Sequence, residues 1–262
     1  MASLWRNREL TRALIKREVI GRYRGSFMGI LWSFFNPLFM LGVYTFVFSV
    51  VFKARWGGSG GGSKTEFALV LFAGLMVFNV FSECVSRAPG LILANANYVK
   101  KVVFPLEILP WVSLGAALFH GAISLLVWLI AYAVFFGVPC VTALYLPLII
   151  IPLAWLAMGF LWFLASLGVF LRDISQFIGL AITVLMFFSP IFYPVSALPA
   201  VYRPLIYVSP LTRIIEMTRD ALFWGKAPVF TDLIVCWLVT MLMAWLGFAW
   251  FQKTRKGFAD VI

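Results

Sequence analysis

Long runs of uncharged residues limit the folds that are open to this chain. Gly25–Phe52 holds 28 consecutive residues without Asp, Glu, Lys or Arg, and 64 such residues separate Glu107 from Arg172. About 20 apolar residues in a helix cross the hydrocarbon core of a bilayer. A spanning segment must also satisfy its own backbone hydrogen bonds, which favours helices over open sheets. The runs predict an all-α polytopic membrane protein.

The composition supports a membrane protein and argues against a nucleic-acid-binding one. Hydrophobic residues make up 63% of the chain and charged residues 12%, whereas soluble domains are about 45–50% apolar and about 25% charged. The net charge is +11, but the Lys and Arg residues lie in short blocks beside apolar runs. Such blocks are typical of topology signals and of contacts with lipid headgroups. We therefore expect membrane lipids as partners and no nucleic acid.

The spacing between charges predicts six transmembrane helices in a single domain. The second helix must include Glu83 near its end, because only 16 uncharged residues lie between Glu66 and Glu83. With the N-terminus inside, 14 Lys and Arg residues face the cytoplasm and 7 face outward, which favours cytoplasmic N- and C-termini. The predicted segments are an interface helix at 1–24, spans at 27–52, 67–86, 108–136, 146–171, 174–193 and 230–252, a cytoplasmic loop at 87–104, outer helices at 196–225 and a cytoplasmic tail at 253–262.

The first 24 residues have the two faces of an amphipathic helix. Leu4, Leu14, Ile15 and Val19 fall on one arc of a helical wheel, the basic residues occupy the opposite side, and Glu18 interrupts the apolar face. Two interpretations remain open, a basic anchor on the inside of the membrane and an amphipathic helix lying in the cytoplasmic interface.

Two polar segments stand out between the apolar runs. Arg87–Pro110 combines basic residues with asparagines, which suits a segment that touches both the membrane surface and a partner outside it. Ser196–Lys226 is divided by prolines and predicts two short helices that dip back into the outer leaflet. Within the second segment, Glu216 is expected to pair with Arg213 and to share a helix face with Arg219.

Aromatic residues crowd the first and fifth predicted helices. Aromatics in a membrane protein usually contact lipid or form an interfacial belt, but their faces also suit sliding contacts with the apolar face of a sugar ring. The residues that we expect to line a pore on this second interpretation are Phe34, Phe35, Tyr44, Phe48, Phe187, Phe188, Phe192 and Tyr193.

Other chemistry-bearing residues give weaker signals. Gly58–Thr65 approaches a P-loop, but Ser63 stands where the second glycine is required and no strand precedes it, so a flexible linker is the better interpretation. His120 is isolated in an apolar run, and the nearest acids in the predicted topology are Glu107 and Asp173 at the membrane edge. A helix-packing hydrogen bond is preferred there over a proton relay. The three cysteines predict neither a zinc site nor a disulfide framework.

Four motifs in register carry a resemblance to a known family. They are RYRGSFMGILWSFFNPL at 22–38, ANANYVKKVVFPLEILP at 94–110, FLRDISQF at 170–177 and SPIFYP at 189–194. In this order and spacing the chain closely resembles the membrane permease of ABC-2 type polysaccharide exporters, which export O-antigen, capsule or teichoic acid.

The resemblance implies a homodimeric permease in the bacterial inner membrane, with two copies of a separate ATPase that uses ATP and Mg²⁺. No cofactor is expected in this chain, and it is expected not to be an enzyme by itself. The substrate would be a polysaccharide on undecaprenyl diphosphate, and the first and fifth helices would line the channel. The residues to which the resemblance gives roles are Leu91, Asn95, Asn97, Tyr98, Lys100 and Lys101 for coupling to the ATPase, Arg22, Tyr23 and Arg24 at the diphosphate entrance, and Tyr202, Arg213, Glu216 and Arg219 in the outer gate.

Three alternatives are left open by the sequence. An ABC-2 type permease for a drug or small lipid belongs to the same class of transporter. A membrane-embedded glycosyl- or acyltransferase would need paired acids or histidines near one interface, and Glu107, His120 and Asp173 are scattered. An ion-coupled carrier would need acids at mid-span, whereas Glu83 and Asp232 lie near predicted helix ends.

Overall fold

The regular structure of the chain is helical throughout the part that is described. The computed structural model describes residues 5–47, 64–100 and 104–262, and no strand occurs within these ranges. This confirms the predicted all-α class for that part of the chain. The α-helices are α1 (Arg8–Arg22), α2 (Trp32–Tyr44), α3 (Lys64–Arg87), α4 (Ala96–Val99), α5 (Leu109–Phe136), α6 (Leu146–Phe170), α7 (Ile174–Phe188), α8 (Arg203–Tyr207), α9 (Pro210–Leu222), α10 (Phe230–Thr254) and α11 (Phe258–Val261).

Five helical stretches within the described ranges are long and apolar enough to cross a membrane. They are Gly29–Val47, Thr65–Arg87, Leu106–Phe136, Val141–Phe170 and Phe230–Gly257. Each lies at one of the predicted spans, so the structure supports a polytopic membrane protein.

The predicted fifth span is shorter than expected. It was expected to extend to residue 193, but α7 ends at Phe188 after 15 residues. At roughly 1.5 Å per residue, α7 is about 22 Å long, less than the roughly 30 Å of a bilayer core. The helix ends there because Ser189 has extended backbone angles and Pro190 has no N–H to donate. A sixth complete crossing remains a prediction.

Several predicted features fall outside the described residues. They are Phe48, Lys101, the end of the first predicted span and nearly all of the Gly/Ser loop with its P-loop-like sequence.

Helix α3 is the centre of the bundle. In its apolar window, 83% of the residues are buried, and it packs against α5, α6 and α9. Leu71, Ala73 and Cys84 are fully buried. A helix that is apolar on nearly all sides is typical of such a central position.

Small residues let α6 and α10 approach closely. A Cβ on Gly247 would lie 2.2 Å from the carbonyl oxygen of Gly159, and a Cβ on Gly159 would lie 2.8 Å from that of Met243. Backbone-to-backbone contact of this kind is the usual way in which transmembrane helices gain packing energy without a hydrophobic driving force.

Helix α1 packs its apolar face on the first turns of α5. Leu14 and Val19 are buried, and Leu14 forms a cluster with Ile108 and Val112. Gly115 leaves room for Ile15, whose Cδ1 would lie 2.4 Å from a Cβ at that position. The protein itself therefore covers the described part of the predicted apolar face, while Leu4 lies outside the described residues.

Different segments of the chain lie at the two ends of the bundle. Arg255, after α10, pairs with Glu107 at the start of α5, the helix turn that α1 also covers. Pro89 lies against Gly168 near the end of α6. These contacts gather α1, the segment after α3 and the C-terminal end of α10 at one end, which we call the α1 end. Helices α8 and α9 lie toward the opposite end, where Thr142 donates to the carbonyl of Ala221.

Candidate functional site

A polar stripe runs along the last turns of α3. Asn79, Ser82, Glu83, Ser86 and Arg87 recur at spacings of three and four residues, so they share one face of the helix. This face borders a cavity of about 620 Å³. Side chains from four helices and the segment after α1 complete its lining, among them Arg22, Tyr23, Asn36, Tyr44, His120, Ser124 and Ile182.

Glu83 is the centre of an ionic cluster in this cavity. The Arg22 guanidinium donates to Glu83 Oε1, and His120 Nδ1 lies 3.1 Å from both oxygens of the same carboxylate. Tyr23 Oη lies 3.3 Å from His120 Nε2. Burial raises the pKa of Tyr23, against a smaller opposing effect of Arg22, so this hydroxyl stays protonated at neutral pH.

A second arginine joins the cluster from α3 itself. Arg87 donates to Glu18 on α1, and its Nη1 lies 3.7 Å from Glu83. Helix α1 is thus tied to α3 by two ion pairs of opposite direction, Arg22 to Glu83 and Glu18 to Arg87. Glu18 interrupts the apolar face of α1 because it serves this contact.

The structure corrects the prediction for His120. The acids expected nearest to it were Glu107 and Asp173, but its partner is Glu83 on α3. His120 does make a hydrogen bond between helices, as predicted. That bond lies in a polar cavity, however, and not in an apolar contact between helices. The stripe of polar residues at helical spacing in α3 is the sequence signal that could have shown this.

An apolar pocket adjoins the polar cavity. It has a volume of about 360 Å³ and lies between α3, α5 and the start of α6. Met76 lines both spaces. A ligand with a charged head and an apolar chain could therefore place its head in the polar cavity and its chain in the apolar pocket.

The predicted coupling residues separate into an outer and an inner group. Asn97 and Lys100 are exposed and available to a partner. Leu91 and Tyr98 pack against the main core instead, and Asn95 donates its side-chain amide to the carbonyl of Leu91.

A link between α1 and the predicted coupling segment was missed by the sequence analysis. Arg17 Nη1 donates to Tyr98 Oη at 3.0 Å. The Tyr98 ring stacks on Phe104 with centroids 4.2 Å apart. Helix α1 therefore contacts this segment through Arg17 and the polar cavity through Arg22.

The predicted pore-lining aromatics occupy different surroundings. Phe34 borders a second apolar pocket and Phe35 is exposed. Tyr44 lines the polar cavity. At the end of α7 the exposed residues are Phe187 and Phe188, while Phe192 packs on the core and Tyr193 donates to the carbonyls of Phe187 and Phe188. Within one chain, the structure does not gather these residues on one surface.

The segment predicted to form the outer gate contains two short helices, α8 and α9, as expected. Tyr202 is exposed just before α8. Arg213 pairs with Asp232 at 3.1 Å, which replaces the expected pairing with Glu216. Glu216 accepts from Arg219 at 3.0 Å.

Arg219 is almost fully buried, with 2% of its surface exposed. Its guanidinium donates to the carbonyl oxygens of Val70, Pro190 and Ile191 as well as to Glu216. It lies over Gly74, where a Cβ would come within 2.5 Å of Nη2. Burial lowers its pKa to about 10, which still leaves it charged at neutral pH. Arg219 therefore joins α9 to α3 and to the segment after α7.

The helical bundle and its cavity define a multi-pass membrane protein with a charged site between its helices. The chain belongs to the ABC-2 type transporter family, which it matches over residues 9–223. This finding confirms the family resemblance that the four motifs carried.

Relatives with assigned roles match nearly the whole chain. It is similar to the O-antigen export system permease protein RfbA of Myxococcus xanthus, with 24% identity over 99% of this chain and 97% of that protein. The protein of the same name from Klebsiella pneumoniae is 25% identical over 97% of this chain and 95% of its own length. The polysialic acid transport protein KpsM of Escherichia coli is 23% identical over 93% and 92% of the two chains.

Proposed function

We propose that this chain is the membrane subunit of an ATP-driven exporter that moves a polysaccharide linked to undecaprenyl diphosphate across the bacterial inner membrane. The observation that carries the proposal is similarity over nearly the full length to permeases of O-antigen export and to a polysialic acid transporter. The charged cavity beside an apolar pocket supports a substrate that has both an anionic group and a lipid chain.

The energy for transport comes from a separate ATPase in this proposal. Two copies of the chain form the channel, and each binds one ATPase subunit through the segment that contains α4. Asn97 and Lys100 are exposed there and suit direct contact. Lys101 has the same assigned role.

The inner group of coupling residues would transmit movement within the permease. Tyr98 contacts α1 through Arg17, and α1 contacts the cavity through Arg22. A displacement of the coupling segment would therefore reach the cavity along a single rigid helix.

We assign the α1 end of the bundle to the cytoplasm. The contacts of α1, Glu107 and Arg255 bring the two terminal regions to the same end, in agreement with the excess of Lys and Arg predicted for that side. The polar cavity, which Arg22 and Tyr23 line, is then near the side on which a lipid-linked polysaccharide is made. Arg24 is exposed beside them and would complete the entrance. Helices α8 and α9 form the outer gate.

Aromatic residues provide the path for the sugar chain in the dimer. Phe187 and Phe188 are exposed at the end of α7, and an apolar ring face can slide along a pyranose without fixed hydrogen bonds. Substitution of Tyr44, Phe188 and Tyr193 by Ala is expected to lower export while the dimer still forms.

A deletion and complementation experiment tests the proposal. A bacterium lacking this gene should lose its surface polysaccharide and accumulate the lipid-linked form inside, and the wild-type chain should reverse both effects. The control is the wild-type chain together with a variant of the partner ATPase that has no hydrolytic activity, and it should reverse neither. Normal surface polysaccharide in the deletion strain, together with increased sensitivity to hydrophobic drugs, would instead support a small-molecule exporter.

A further inference from the structure

Glu83 occupies the position at which an anionic ligand would contact the arginines of the cavity. Its carboxylate is contacted by Arg22, Arg87 and His120. Only 16% of its side chain is exposed, whereas 49% of Arg22 and 37% of Arg87 are exposed. The two guanidinium groups can therefore be reached from the cavity while they hold an internal carboxylate.

The charges of this cluster are balanced in the absence of a ligand. Arg22 and Arg87 face Glu83 and Glu18, which gives these four side chains a net charge of zero. An added anion must therefore take the place of a carboxylate to gain a full ion pair. Of the two carboxylates, Glu83 lines the cavity.

Phosphate is the anion that suits this exchange. Guanidinium groups bind phosphate oxygens through paired, charge-assisted hydrogen bonds, and two arginines can serve the several oxygens of a phosphate or diphosphate. The side-chain amide of Asn79 borders the same space. The hydroxyls of Ser82 and Ser86 also border it, and these donate to the carbonyls of Asn79 and Glu83. Met76 lines both this cavity and the apolar pocket, and that pocket would hold the start of a lipid chain.

We propose that Glu83 is an internal counter-ion of this cavity, which the phosphorylated headgroup of a lipid displaces from Arg22 and Arg87. This rests on the proposed function in that the headgroup of an exported substrate would be a diphosphate. The exchange breaks the Arg22–Glu83 pair, which ties α1 to α3. Since α1 also contacts Tyr98, occupancy of the cavity is communicated to the coupling segment.

Binding of geranylgeranyl diphosphate to the purified full chain in lipid nanodiscs tests the exchange. Glu83→Gln keeps the shape but removes the competing charge, so it should bind this lipid about tenfold more tightly, the ratio that corresponds to roughly 1.4 kcal/mol. Arg22→Gln and Arg87→Gln should each bind it at least about tenfold more weakly. Unchanged or weaker binding by Glu83→Gln would overturn the proposal.

A matched control and a second variant keep the test decisive. Glu107→Gln removes another carboxylate that is paired with an arginine, Arg255, but lies outside the lining of the cavity, so affinity should not change. If Glu83→Gln does not fold, Glu83→Asp shortens the carboxylate and should bind more tightly than wild type by a smaller factor. Weaker or equal binding by folded Glu83→Asp contradicts the exchange.

Comparison of probes separates the sources of the headgroup. Geranylgeranyl diphosphate should bind more tightly than inorganic pyrophosphate, and geranylgeraniol should bind weakly. Equal competition by vesicles of phosphatidylglycerol would keep the phosphate site but assign it to ordinary membrane lipid. That result would leave the export test unaffected, because surface polysaccharide is measured independently. Equal binding of geranylgeraniol and its diphosphate would overturn the site itself.

Discussion

Arg22 and Arg219 are both bound to a glutamate, yet their surroundings are opposite. Arg22 is 49% exposed at the border of a cavity, and its partners are the side chains of Glu83 and His120. Arg219 is 2% exposed, and three of its partners are backbone carbonyls from two distant segments.

The difference shows which arginine can change partners. Backbone carbonyls cannot move away without disturbing α3 and the segment after α7, so Arg219 fixes one arrangement of helices. The side chains around Arg22 can rotate, and a ligand can reach them from the cavity. A buried cation stabilises structure when its partners are fixed, and a cation at a cavity with mobile partners is suited to binding.

The largest effect is expected from Arg219→Gln. This change leaves buried carbonyls and Glu216 without their charged donor, and loss of one member of a buried ionic group costs about 3–5 kcal/mol. Thermal unfolding of the purified chain in detergent should show it as a markedly lower midpoint. Arg213→Gln on the same helix is the control, because its exposed pair with Asp232 contributes about 1 kcal/mol or less. Equal unfolding midpoints for Arg219→Gln and Arg213→Gln would show that Arg219 does not fix the arrangement of the helices.

Gly74→Ala tests whether the Arg219 guanidinium is tightly packed against α3. A Cβ at Gly74 would lie 2.5 Å from Nη2, and Arg219 cannot retreat without losing its acceptors. We expect a cost of about 1–3 kcal/mol, typical of overpacking. Gly42→Ala in α2 has open space around the new Cβ and should be neutral or slightly stabilising. If both alanine variants melt at the wild-type temperature, the guanidinium is not held as described.

Arg22→Gln is expected to separate stability from function. Arg22 is half-exposed, and Glu83 keeps Arg87 and His120 as partners when Arg22 is replaced. The cost to folding should therefore be nearer the roughly 1 kcal/mol of an exposed pair than the about 3–5 kcal/mol of a buried one, and the melting midpoint should stay near that of wild type. Export in the complementation strain should nevertheless fall sharply, because the substrate would lose the guanidinium contact that we propose. Arg22→Lys should recover only part of the export, since a lysine cannot make paired bonds to phosphate. Full export by Arg22→Gln would show that the cavity does not bind substrate.

The smallest change in stability is expected from Lys100→Glu. Lys100 is exposed, and surface substitutions usually alter stability by less than about 0.5 kcal/mol. Co-purification with the proposed partner ATPase should be lost, because the charge at the proposed contact would be reversed. Retained association and full ATP-driven export would refute the coupling role.

The sequence predicted most helices but not their arrangement. Uncharged runs and prolines located the long helices, because bilayer thickness and backbone hydrogen bonding act locally. The end of α7 was misplaced because Phe192 and Tyr193 continue the apolar character beyond Pro190. The position of α3 at the centre depends on contacts with three other helices, which no local pattern encodes.

The candidate site was predictable only where its partners are side chains with a helical spacing. Arg22 and Tyr23 were identified through the family motif, and the stripe from Asn79 to Arg87 could have been read from its spacing. Arg219 was assigned to the gate through the family resemblance, but its acceptors are carbonyls of residues such as Val70. Every residue has a carbonyl, so the sequence contains no signal for such a partner.

Transport in proteoliposomes tests the central claim most directly. The chain and its partner ATPase would be reconstituted so that ATP reaches only one side, and transfer of a glycan linked to polyprenyl diphosphate would be measured by its protection from an added glycosidase. Wild type should transfer the glycan only with ATP, and Arg22→Gln should fail although it folds and retains the ATPase. Transfer without ATP, or at the wild-type rate in Arg22→Gln, would contradict the account.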